Sequence, residues 1–93
     1  MAVVDILSDL EGYSGRRIEV GGQITNLRTG TFRSKQPQYT FDLSDGMRSI
    51  LVFGSGSPPC PNGATAVVVG TLGTRKRANQ ITGTIDAVDV QCR

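Results

Sequence analysis

The chain has 93 residues, 38% of them apolar, with a formal net charge of +2, ten Lys and Arg, eight Asp and Glu, and no histidine. That length suits one domain with a modest core and leaves little room for a deep cofactor cavity. The blocked pattern of apolar residues excludes a disordered chain, and no stretch reaches the about 18 apolar residues of a membrane span.

The placement of charge says more than its sum. No acid lies between Glu19 and Asp42, or between Asp45 and Asp86. Those gaps hold Arg28, Arg33 and Lys35, then Arg48, then Arg75, Lys76 and Arg77. Basic segments are therefore segregated along the chain.

In chain order, Val3, Ile6, Leu7 and Leu10 recur at i, i+3, i+4 and i+7, which predicts one short helix stopped by Gly12. From Arg17 the period becomes two. Ile18, Val20, Gly22 and Ile24 share one face, and the Gly21-Gly22 pair predicts a bulge or sharp bend in a long coiled strand. Residues 28–37 read as a loop. Tyr39, Phe41 and Leu43 then alternate with Gln38, Thr40 and Asp42 as a second strand.

Ser44-Asp45-Gly46 predicts a hairpin turn, because Asp-Gly supplies positive φ at little cost. Residues 47–53 form a third strand. Its Ile50-Leu51-Val52-Phe53 run is apolar on both faces, which predicts that both faces are covered. Residues 54–63 hold three prolines and three glycines and read as a loop. A fourth strand spans 64–72, a basic loop 73–79, and a fifth strand 80–92. The apolar phase of the last slips between Ala87 and Val88, the mark of a bulge. No repeat and no second domain is visible, so residues 1–93 are expected to be one domain.

This order resembles the OB-fold nucleic-acid-binding families. The likeness is carried by Val20-Gly21-Gly22-Gln23-Ile24, by Phe41-Asp42-Leu43-Ser44-Asp45 and by Val67-Val68-Val69-Gly70-Thr71-Leu72. It is most similar to the anticodon-binding type and to the N-terminal domain of the exodeoxyribonuclease VII large subunit. The resemblance implies an all-β fold, a five-stranded OB-type Greek-key barrel with a short N-terminal helix. A periplasmic haem-chaperone OB domain is patterned alike but attaches haem through histidine, which this chain lacks, so no cofactor is expected. The Pro/Gly stretch 54–63 departs from the resemblance, since a helix often stands there.

In such barrels ligands lie across strands 2 and 3, between the loops joining strands 1 to 2 and 4 to 5. The resemblance therefore implies phosphate contacts from Arg28, Arg33, Lys35, Arg75, Lys76 and Arg77. Phe32 and Tyr39 are the assigned stacking residues, with Phe53 an alternative on the strand face. The expected partner is single-stranded nucleic acid, DNA or RNA, held without strong sequence preference. A protein partner, or a place as an appendage of a larger protein, is the alternative. No metal site is expected from two cysteines without histidine.

Catalysis has little to stand on. Asp45 is expected to make the turn, and Asp86 and Asp89 to be solvated. Cys60 has no adjoining cation to activate it, and Gly54-Ser55-Gly56-Ser57 runs into prolines rather than a helix. A binding module, not an enzyme, is expected. Cys60 and Cys92 are free to bridge or to stay reduced; half-buried thiols are the expectation, and with no basic leader at the N-terminus so is the cytoplasm.

Overall fold

A computed structural model describes residues 2–31 and 36–93. The N-terminal stripe forms two short helices, α1 (Val3–Leu7) and α2 (Leu10–Tyr13), rather than one. The break has a local cause: the Asp9 carboxylate accepts a hydrogen bond from the Gly12 N–H at 3.2 Å and starts a second turn. Gly12 thus lies inside α2 and is not the expected stop. Val3, Ile6 and Leu10 still reach the core.

Five strands follow: β1 (Arg17–Thr31), β2 (Pro37–Ser44), β3 (Ser49–Ser55), β4 (Thr65–Arg77) and β5 (Gln80–Cys92). They close in the order β1-β2-β3-β5-β4, with β4 returning to β1. The β3–β5 contact is parallel and all others are antiparallel. The strand periodicity predicts the five strands, and the resemblance implies the all-β Greek-key barrel that they form.

Long β1 serves both sides of the barrel. Arg17–Gln23 pair with β4, and Gln23–Thr31 with β2. Gly21 and Gly22 stay in register, so the bulge is not there. The register shifts between Thr25 and Arg28, where Asn26 takes a φ of 52°. Gly22 is required by a close approach: a Cβ there would stand 2.8 Å from the Ser44 carbonyl. In β5 the shift falls opposite Val69 and Gly70, leaving Val88 as the extra, 66% exposed residue. The phase slip in the sequence marks that place.

Inside the barrel, Ile18, Val20 and Ile24 meet Phe41, Leu43, Ile50, Val52, Leu72 and Ile85, each buried. Each such side chain contributes about 2 kcal/mol on burial. The stretch between β3 and β4 is tied down without a helix. Gly63 N–H donates to the Ile24 carbonyl at 2.7 Å, and Leu27 N–H to Asn62 Oδ1 at 3.1 Å. Cys60 is buried and disulfide-bonded to Cys92, with Cα atoms 5.7 Å apart. The expectation of reduced thiols is thereby corrected. The barrel brings the C-terminal end of β5 against the 56–64 stretch, a proximity that a separation of 32 residues does not announce.

Candidate nucleic-acid interface

Alternation along the strands defines an outward face. On β2, Tyr39, Phe41 and Leu43 point in, while Gln38, Thr40 and Asp42 point out. On β3, Ile50 and Val52 point in, while Leu51 and Phe53 point out. Phe53 is 37% exposed, so the outer face of the Ile50–Phe53 run is not covered as expected. The parallel pairing places Thr84 beside Leu51 and Asp86 beside Phe53. Thr40 pairs with Phe53 on one side and Arg28 on the other, and is buried beneath them as the floor.

Two shallow depressions meet at Phe53. One, of about 470 Å³, is lined by Gln38, Phe53, Gly54, Ser55, Asp86 and Ala87. The other, of about 410 Å³, includes Leu51, Phe53, Gly73, Arg75, Thr82 and Thr84. A third lies between Arg28 and Asp42 at the β1 bulge.

The basic segment 75–77 is not a loop. It extends β4, and a turn of two residues, Ala78 and Asn79, joins it to β5. Strand alternation then splits the three cations. Arg75 pairs with Thr82 and Arg77 with Gln80, in phase with the outward residues Thr71 and Gly73. Lys76 points the other way and forms an ion pair with Glu11 of α2 at 2.9 Å. Beside it the Ser14 and Thr74 hydroxyls hydrogen-bond at 2.7 Å. Lys76 therefore stands on the α2 side of the hairpin, apart from Arg75 and Arg77. Arg28 is likewise on a strand, not in a loop, and faces outward. The cross-strand line through Arg28 runs by way of Thr40, Phe53 and Asp86 to Thr71, and Arg75 lies four residues further along β4.

Tyr39 does not serve as a stacking platform. It is 5% exposed and stacks inside the barrel on Phe41, centroids 6.0 Å apart and planes 2° from parallel. Burial, then the Asp89 carboxylate, raises its phenol above the ordinary value. Gly54 leaves room for this ring, since a Cβ there would fall within it. The exposed aromatic on the face is Phe53. Phe32, Arg33 and Lys35 lie outside the described residues.

The face also carries carboxylates. Asp42 accepts a hydrogen bond from Asn26 Nδ2 at 2.9 Å. Asp86 is exposed beside Phe53. The electrostatic layout is thus cations at both flanks and, between them, an aromatic ring with carboxylates near it. Among the described residues no group of three or more His, Cys, Asp or Glu is arranged to hold a metal, and no helix is long and apolar enough to cross a membrane.

Two solved structures resemble this barrel. The second single-stranded DNA-binding protein, SSBb, of Mycobacterium smegmatis matches with a TM-score of 0.67 and 24% identity, over 83% of this chain and 84% of that one. RecG bound to a three-way DNA junction matches with a TM-score of 0.63 and 17% identity. The fold is the OB-fold. The RecG match covers all of this chain and 12% of the other, so there the OB-fold is one part of a far longer protein. No protein-family model and no curated protein sequence matches the chain.

Proposed function

We propose that this OB-fold chain binds single-stranded nucleic acid without strong sequence preference and is not itself an enzyme. The observation that carries the reading is an exposed Phe53 with Arg75 lining the depression beside it and Arg28 two strands away on the same cross-strand line through Thr40. Guanidinium groups at the flanks follow phosphates, and the ring between them stacks a base. The likeness to a single-stranded DNA-binding protein supports it, as does the place of such ligands on OB-folds.

Fluorescence anisotropy with labelled dT oligonucleotides tests it. Three phosphate contacts give a slope of log affinity on log salt of about −2, at roughly 0.7 per phosphate on a single strand. No binding at low salt, or binding indifferent to salt, contradicts it.

A second reading has one observation in its favour. The RecG match covers the whole of this chain but a small share of the longer protein. In that reading the barrel positions nucleic acid for a catalytic unit elsewhere, and the same groove does the binding.

A further inference from the structure

We propose that the depression beside Phe53 is a base-reading subsite that prefers guanine, with Asp86 as the reading residue. The inference rests on the nucleic-acid reading above and deepens it.

The charges of the face present an apparent conflict. A groove for a polyanion gains nothing from a carboxylate at its centre, yet Asp86 stands on β5 directly beside Phe53 on β3. Its outward neighbour on β4 is Thr71, which brings no positive charge. Of the nearby carboxylates, Asp42 is engaged by Asn26 and Asp89 by Gln91. A phosphate at the Phe53 position would therefore be repelled, and the backbone is left to the flanking arginines. What Phe53 receives is then the base, and the edge that meets Asp86 must supply donors.

The bases differ sharply in this respect. An ionised carboxylate accepts only, with two oxygens side by side. Guanine alone presents two adjacent donors on its pairing edge, N1–H and the N2 amino group. Both donate to one carboxylate in a bidentate pair, the strong form of such bonds. Cytosine and adenine each offer one amino donor beside a ring nitrogen lone pair, which repels the second oxygen. Thymine and uracil offer one N–H flanked by two carbonyls. Gln38, half-buried on the same wall, carries an amide N–H suited to the guanine O6. The larger purine also covers more of the Phe53 ring.

The test is anisotropy with dT oligonucleotides carrying a single central dG, dC or dA. Wild type is expected to bind the dG oligonucleotide about fivefold to tenfold more tightly than all-dT, the low end for a bidentate base contact. Asp86→Asn, which replaces one acceptor by a donor, is expected to lose that preference while still binding dT. Asp86 is exposed, so the variant folds, and circular dichroism verifies it. Asp86→Ala is expected to bind all-dT slightly better than wild type, because a repulsive charge is gone. Binding without a dG preference, or a preference that survives in Asp86→Asn, overturns the guanine subsite and leaves the general reading standing. Failure to bind any of the oligonucleotides at low salt overturns both.

Discussion

Lys76 and Glu11 join across a 2.9 Å ion pair on the side of the β4–β5 hairpin opposite to Arg75. Three consecutive cations are thereby divided between two sides of the hairpin. An exposed pair of this kind is worth well under about 1 kcal/mol, so its importance lies in where it aims Lys76. Arg75→Ala and Arg77→Ala are expected to weaken oligonucleotide binding severalfold each and to flatten the salt dependence by about 0.7 per residue. Lys76→Ala is expected to leave both nearly unchanged. Equal losses at all three positions would mean that the alternation does not govern contact.

Phe53 and Tyr39 should part company in the same way. Phe53→Ala is expected to cost about 1–3 kcal/mol of binding, the range for a base-stacking ring. Its effect on folding should be small, because the ring is already partly in water. Tyr39→Ala removes a buried ring stacked on Phe41 and is expected to cost about 3 kcal/mol of stability. Chemical denaturation and anisotropy on both variants separate the roles. A Tyr39→Ala protein of normal stability and lost affinity would contradict the assignment.

The Cys60–Cys92 bond closes a loop of 32 residues, and chain entropy puts its contribution at about 4 kcal/mol. That is a large share of the stability of a domain this size. Thermal melts with and without reductant, and of a Cys60→Ser, Cys92→Ser double variant, are expected to show a fall of more than about 10 °C. Oligonucleotide affinity below the melt should hold, since Cys92 lies six residues along β5 from Asp86, the partner of Phe53. An unchanged melt on confirmed reduction would contradict the account.

Asp45 gives the fold a response to acid. Its Oδ1 accepts from the Arg48 N–H at 2.8 Å and the Met47 N–H at 2.9 Å, and these bonds hold its carboxyl below the ordinary value. A depressed folded-state value stabilises above the unfolded value and is lost as pH falls through the folded one. The gap in urea midpoint between wild type and Asp45→Ala is therefore expected at about pH 6 and should shrink below about pH 4. A gap of constant size would show that the turn draws on something other than the charged carboxylate.

Much of the barrel is legible in the sequence, because inward residues such as Ile18, Val20 and Ile24, or Tyr39, Phe41 and Leu43, keep a period of two. The ends of the strands are not. Thr74, Arg75, Lys76 and Arg77 are polar on both faces, so nothing in their pattern distinguishes a loop from a projecting ribbon. Arg28 is hidden likewise behind the bulge at Asn26, which resets the phase of β1. Periodicity shows that Phe53 opposes the inward side of its strand. It does not show that no element covers that side, which is a property of the closed barrel. The hiding of Tyr39 depends on Gly54, a neighbour fifteen residues away whose missing side chain makes room for the ring.

The most direct measurement is an amide chemical-shift map of the protein titrated with a dT oligonucleotide. The largest changes are expected on Arg28, Thr40, Leu51, Phe53, Arg75 and Thr84, with α1 and the Cys60 region nearly still. Changes centred on α1, on the 56–64 stretch or on the Lys76–Glu11 side would place the ligand elsewhere and contradict it.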